Sequence, residues 1–367
     1  MYFALTDEQQ ELIRTVRSLV RRRADAVDNR TAAASEPGYD TDLWSALCEQ
    51  IGVAALAVPE EYGGAGFTYL ETHLVLEELG ASLTPSPSLG SAVLATQALL
   101  LAGADEACAR LLPDLAEGTR TAAVCWAGPD GEWATDSEAI AVSARDGNLS
   151  GRSTLVLDAF GADVLLVVAS SDSGVGLYEL DPSSAGVTVR PTTGVDQSLN
   201  LADVELVDAR GEWIADVGAS LDRLYAVAAI AVTALQVGAA QRALDLTVEY
   251  LKERVQFGRP LGSFQALKHR CADMLVQVEA ARSISWAAAW AVTHDPAGLV
   301  YRAALAKAWC CEAFNLVASE MVQLHGGIAI TWEHDAHLYF KRAHATSQMF
   351  GRAAAHRRLL VPPVSTA

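Results

Sequence analysis

"LDRLYAVAAIAVTALQVGAAQRALDLTVEYLKERVQFG" (residues 221–258) is the stretch on which the fold turns. Its longest apolar run, 224–240, is Ala-rich and interrupted by Thr233 and Gln236. It falls short of the roughly 20 residues needed to cross a bilayer. A helix that is apolar on nearly every side and too short to span a membrane belongs inside a helical bundle. The segment therefore predicts a long buried helix.

The chain downstream extends this pattern. "RPLGSF" (259–264) reads as a loop, and three more helical stretches follow, broken at 294–298 and at Gly326–Gly327. That makes a four-helix C-terminal bundle over 219–367. Upstream, the period changes. "TAAVCWA", "EAIAVSA", "STLVLDA", "DVLLVVAS", "GVGLYELD" and "GVTVRPT" are short apolar runs about ten residues apart, separated by Gly, Asp and Ser. This spacing predicts a β domain over 118–218. Before it, 1–117 reads as helices. "LTDEQQELIRTVRSLVRRRADA" opens with Thr6 and Gln9 in capping-box spacing, followed by Leu12, Ile13, Val16, Leu19 and Val20 at helical intervals. The expected architecture is α+β: helical domain, β domain, four-helix bundle.

The bulk numbers narrow the partners. Across 367 residues the formal net charge is −18, which argues against nucleic acid and anionic membrane surfaces. The N-terminus "MYFALTDEQQ" lacks a basic region followed by an apolar core, so a cytoplasmic chain is expected. Cys48, Cys108, Cys125, Cys271, Cys310 and Cys311 show no metal-type spacing and read as reduced thiols. His334 and His337, three apart in "WEHDAHLY", lack a third ligand and read as a polar helix surface.

Three local signals then carry a resemblance. "VPEEYGGAG" (58–66), "YLKERVQFGRPLGSFQALKHRCADM" (250–274) and "VQLHGGIAITWEHDAHLYFKR" (322–342) stand in the order, and at the distances, of signature segments of the acyl-CoA dehydrogenase family. The chain resembles that family over essentially its whole length. The resemblance implies an FAD-dependent oxidoreductase acting on an acyl-CoA thioester. In such enzymes a carboxylate removes the α-proton while the β-hydrogen leaves as hydride to the flavin, so a positioned base is required. Flavin in this family lies between the β domain of one subunit and the bundle of its neighbour.

The bundle half of that site reads as intact. Arg254 offers a planar fork to the pyrophosphate of a neighbour's FAD. Phe257 packs on the cofactor, Gln323 hydrogen-bonds it, and Gly326 and Gly327 let the backbone approach its phosphates. The β half departs from the family pattern. "AAVCWAGPDGEW" has Trp126 and Ala127 where Thr and Glu are usual, and "GRSTLVLDA" has Leu155 and Leu157 where an aromatic and a hydroxyl are usual.

The base is missing as well. The family's usual position falls on Phe350, beside Gly351, and no Asp or Glu occurs from Ala336 to the end of the sequence. The alternative position, near the start of the long helix, falls on Ala228 or Ala229. The nearest carboxylate is Asp222, which reads more readily as a first-turn residue than as a base.

The resemblance is therefore to the subunit of heteromeric members that lacks the catalytic Glu. It implies a Glu-bearing homologous partner in an α2β2 assembly. It also implies electron-transfer flavoprotein or a similar acceptor, and bulky acyl-CoA substrates, steroid side chains among them. Two alternatives stand beside it: a stand-alone flavoenzyme using Asp222 or Glu333, and a flavin-free binding or scaffold protein.

Overall fold

The computed structural model describes residues 4–23 and 26–361. Helices occupy the chain up to Glu117, strands run from Ala122 to Asp216, and helices return from Leu221. The chain packs as two compact units. One runs to Val75 and resumes over Pro85–Ala228; the other comprises Leu76–Thr84 and the chain from Ala229 onward.

The first half of the chain contributes α1 (Asp7–Arg23), α2 (Ala26–Ala33), α3 (Thr41–Ile51), α4 (Tyr69–Ala81), α5 (Thr96–Ala102) and α6 (Asp105–Glu117). The capping box forms: Gln9 N donates to Thr6 Oγ1 at 3.2 Å, and Thr6 N donates to Gln9 Oε1 at 3.0 Å. Val16, Leu19 and Val20 are the buried face of α1. In the Pro/Gly loop before α4, a side chain at Gly64 would put its Cβ 2.0 Å from Val58 O, so only glycine fits. Ser88–Ala95 is a π-helix leading into α5, a widening that the helical period of the sequence does not disclose.

One sheet follows: β1 (Ala122–Cys125), β2 (Val142–Arg145), β3 (Asn148–Leu157), β4 (Val164–Ser171), β5 (Gly174–Leu180), β6 (Val187–Pro191), β7 (Leu201–Arg210) and β8 (Glu212–Asp216). Its order is β6-β7-β3-β2-β4-β5-β8, with β1 paired parallel to β4. Leu149, Val156, Leu165, Val167, Val204 and Leu206 build its core. β7 and β8 lie outside the six apolar runs read from the sequence. β7 nonetheless alternates cleanly. Ala202, Val204 and Leu206 are buried, while Asp203 and Glu205 face out to pair with Arg152 and Arg190.

The remaining elements are α7 (Leu221–Glu253), a ribbon of β9 (Val255–Gln256) and β10 (Arg259–Pro260), α8 (Gln265–His294), α9 (Leu299–His325), α10 (Ala336–Gln348) and α11 (Ala353–Leu360). α7 is long and apolar enough to cross a membrane, yet 89% of its most apolar window is buried in the protein. Small residues permit this burial: a Cβ on Gly238 would lie 1.8 Å from Glu77 O, and one on Gly80 would lie 2.6 Å from Leu235 Cα. Met274, Val278, Phe314, Val317, Met321 and Tyr339 form the core of this unit.

Two expectations are corrected here. The last helical stretch is two helices, because Phe350 (φ 49°) and Gly351 (φ 87°) turn left-handed and break it. His334 precedes α10 rather than sharing a helix face with His337, and no cluster of metal-ligating side chains occurs among the described residues.

Candidate functional site

The residues that the sequence singles out in the C-terminal unit gather at the ends of α7 and α9. The link between them is Tyr250, one turn before Arg254. Its ring stacks on His325 at 4.4 Å, and its hydroxyl donates to His325 O at 3.3 Å. His325 in turn precedes Gly326 and Gly327, so the exit of α7 and the exit of α9 form one surface.

At the α7 exit the chain makes a tight hairpin. Gln256 pairs with Arg259, leaving Phe257 (φ 54°) and Gly258 (φ 76°) as the two turn residues. Two successive left-handed residues define a type I′ turn, which suits Gly and penalises Phe. Phe257 is nevertheless there and is 89% exposed, its ring meeting only the edge of Phe264 at 6.2 Å. Holding a phenylalanine in a strained conformation and in water costs free energy that nothing within the hairpin offsets. Arg254, just before the hairpin, is exposed, and among the described residues it has no ion-pair partner.

At the α9 exit, Gln323 is exposed and Gly326 adopts φ 66°, ψ −145°, a region open essentially to glycine alone. Gly327 differs. It has no left-handed φ, and a Cβ there would meet nothing within 4 Å. The chain's own packing gives no reason for glycine at 327. A surface that must come close to the backbone from outside does. His325 adds a second mark. Its Nδ1 sits 2.8 Å from Met321 O and donates to it, which leaves Nε2 as an acceptor. Nε2 is buried and has no partner among the described residues. Burial also holds this imidazole below its usual pKa, so it stays neutral. Beyond it, Ile330 and Trp332 are 76% and 65% exposed, and Lys341 lies over the Trp332 ring at 4.6 Å.

The β half, in the other unit, is closed upon itself. Trp126 is buried, donates its indole N–H to Ala134 O at 2.7 Å, and meets Tyr225 edge-on. Hydroxyls do exist here, on Ser153 and Thr154, but they donate to Ala127 O at 2.9 Å and Gly128 O at 2.5 Å. Leu155 sits at a break in the β3–β7 register with φ 52°, and Leu157 is buried. The hydroxyls of Ser153 and Thr154 are thus spent on the chain's own carbonyls.

The positions that the resemblance assigns to a base, Phe350 and Ala228 or Ala229, carry no carboxylate. Phe350 is 1% exposed, its carbonyl accepting from His356 Nε2 at 2.7 Å, and Ala228 and Ala229 are fully buried. Asp222 is exposed in the first turn of α7, at the end opposite Arg254. Glu333 is exposed before α10.

Tested against FAD, the residues divide. The free fork of Arg254, the bare backbone at Gly327 and the orphaned His325 acceptor fit one side of a dinucleotide. Ser153 and Thr154, whose hydroxyls donate to Ala127 O and Gly128 O, do not offer those donors to the flavin ring. Phe257 and the orphaned Nε2 are informative because both features remain incomplete within the chain.

Comparison with known proteins gives two family matches: the acyl-CoA dehydrogenase C-terminal domain over residues 222–362 and the N-terminal domain over residues 6–119. The acyl-CoA dehydrogenase IpdE2 of Mycolicibacterium smegmatis is 42% identical over 347 residues, covering 94% of this chain and 95% of the relative. Among solved structures, the ChsE4–ChsE5 complex from Mycobacterium tuberculosis matches with a TM-score of 0.87 at 33% identity, covering 98% of each chain. A Tcur3481–Tcur3483 steroid ACAD matches with a TM-score of 0.85 at 30% identity, covering 96% of each chain.

Proposed function

The chain belongs to the acyl-CoA dehydrogenase family, a family of FAD-dependent oxidoreductases, and from that premise we propose that it is the non-catalytic subunit of a heteromeric acyl-CoA dehydrogenase. It lends the bundle half of a flavin site to a homologous, Glu-bearing partner and deprotonates no substrate itself. The single observation that carries the reading is the asymmetry of the two half-sites. Arg254, Phe257, Gln323, Gly326 and Gly327 are presented outward and incomplete, while Trp126, Ser153 and Thr154 are internally satisfied.

In this reading Arg254 pairs with the pyrophosphate through charge-assisted hydrogen bonds worth about 1.5–3 kcal/mol. Gly326 and Gly327 let backbone N–H groups reach the phosphates. Phe257 would pack on the cofactor and Gln323 would hydrogen-bond it. FAD bound there supplies the hydride acceptor for α,β-desaturation. The α-proton is taken by the partner's carboxylate, because the position open to this chain is the buried Phe350.

Two of the matched structures are named as a two-component complex and as a steroid ACAD, which supports an unlike partner and a bulky acyl-CoA such as a steroid side chain. Electron-transfer flavoprotein or a similar carrier reoxidises the assembly, in the cytoplasm. The test is Arg254→Ala in the assembled complex. Flavin absorbance per protein falls if Arg254 holds the pyrophosphate; unchanged occupancy would reduce Arg254 to a helix-end residue and remove the main support for a lent half-site.

A further inference from the structure

Exposed apolar side chains are unevenly spread over this protein. Among the described residues seventeen large hydrophobic side chains are exposed, and thirteen of them fall between Val255 and Val361. Single apolar residues are normal on a surface, but a concentration of them marks an interaction face. Some of the thirteen border the surface already described. Val276, Trp309 and Leu316 do not; they stand on α8 and α9. Two contacts set how these helices run past each other. Arg270 Nε donates to Glu320, and the Cys310 S–H donates to Ala281 O at 3.5 Å. The pair is therefore antiparallel, with Val276 and Leu316 within a turn of the same level.

On α9, Trp309, Glu312, Leu316, Ser319 and Gln323 are all exposed. Their alternating spacing of three and four residues keeps them on one line along the helix, about 21 Å long at 1.5 Å per residue. The corresponding line on α8 is Ala272, Val276, Ala280, Ser283 and Ala287, exposed or half-buried and uncharged. The contacts to α7 show that both lines share one side. Cys311 turns inward to Gln236 and Arg282 to Gln241, both on α7, so the opposite flank of each helix faces outward. The single charged member of the two lines, Glu312, is paired with Arg357 of α11. Val276 is 64% exposed and Trp309 41% exposed. A chain of net charge −18 thus keeps one long face neutral and apolar.

We propose that this outer face of α8 and α9 seats the unlike, Glu-bearing partner subunit, with Trp309 as its central anchor. The inference rests on the subunit reading above and adds the surface through which the two chains meet. Gln323 decides the occupant. It ends the α9 line and also belongs to the half-site lent to the partner's flavin. The chain that holds that flavin lies against this end of α9, and the line leads from there without interruption to Trp309. A second copy of this chain fits less well. Its Ser153 and Thr154 hydroxyls are spent internally, so Gln323 would meet no flavin there. The make-up of the face suits packing: a tryptophan and a leucine stand on one helix, and Ala and Ser on the other let a partner helix come close.

The test reads assembly rather than flavin, by native mass spectrometry of the full chain co-expressed with the Glu-bearing homologue. Val276→Glu and Trp309→Glu should each weaken the complex about a hundredfold or more, since each would bury a carboxylate without a partner. Trp213→Glu, at a 60% exposed position on β8, should assemble as wild type does. A complex that survives both face substitutions overturns the face and leaves the subunit reading standing. A wild-type chain that forms no complex removes the reading on which the face rests. A lone wild-type chain that is dimeric, and becomes monomeric with Val276→Glu, gives the face to a second copy and overturns the proposed occupant. Hydroxyl-radical footprinting of the wild type decides the matter even if a variant fails to fold. Trp309 should be labelled in the lone chain and several-fold less in the complex, while Trp213 is labelled alike in both. Equal labelling of Trp309 in the two states overturns the proposal.

Discussion

Gly327 concentrates the residue-level question, because nothing inside the chain requires a glycine there. Gly327→Ala should therefore leave the unfolding free energy of the free chain within about 0.5 kcal/mol of wild type, as surface substitutions generally do. In the assembled complex the proposed half-site requires it to lower flavin content, since the added methyl would stand where that proposal brings the cofactor. Paired measurement of melting and flavin absorbance separates these effects, and a loss of stability without a loss of flavin would refute the assignment. Asp222 is the opposite case. It sits exposed in a first helical turn, where a carboxylate is worth about 0.3–1 kcal/mol. Asp222→Asn should leave kcat of the complex within a few-fold, whereas loss of a general base costs 10²-fold or more. Steady-state turnover with an artificial electron acceptor measures it, and a drop of orders of magnitude with flavin retained would make Asp222 a base after all.

Among elements, α7 is the one most dependent on small side chains. Gly238→Ala would place a methyl on the Glu77 carbonyl, and over-packing of this kind costs about 1–3 kcal/mol. The melting temperature should fall clearly; an unchanged midpoint would mean that α7 and the Glu77 segment do not pack as described. The junction of the π-helix with β3 makes a pH prediction. Asp158 is buried, accepts from Gly90 N at 2.9 Å, and is pushed up to about 7 by burial. A carboxyl that holds its proton more tightly when folded than when unfolded favours folding at low pH. That contribution fades as pH rises from the unfolded value near 4 through about 7. Asp158→Asn, which keeps an acceptor for Gly90 and tolerates the φ of 59°, should gain stability relative to wild type between pH 5 and pH 8. A pH-independent difference would contradict the buried-carboxyl account.

Much of this level was legible beforehand. Thr6 and Gln9 announce their cap, and 224–240 announces a buried helix by its composition. β7 escaped notice because its alternation hides behind outward Asp203 and Glu205, although the period of two was present. The break at Phe350 escaped for another reason. A phenylalanine forced left-handed by packing has no local signature, unlike the glycine after it. The candidate site was legible as residue types, through the resemblance. Its incompleteness was not, because the exposure of Phe257 and the orphaned Nε2 of His325 arise only when α7 and α9 end side by side.

For the whole molecule, the account is one of complementarity between unlike chains. A subunit with one outward half-site and one self-satisfied half-site should be unable to complete a flavin site with a second copy of itself. Reconstitution decides this most directly. The chain is purified alone and also co-expressed with a homologous subunit bearing the glutamate; each preparation is incubated with FAD, desalted, and measured for bound flavin and for oxidation of an acyl-CoA. The account predicts no retained flavin and no turnover for the lone chain, and one flavin per pair of unlike chains with turnover for the complex. A lone chain that retains FAD and oxidises an acyl-CoA would contradict it.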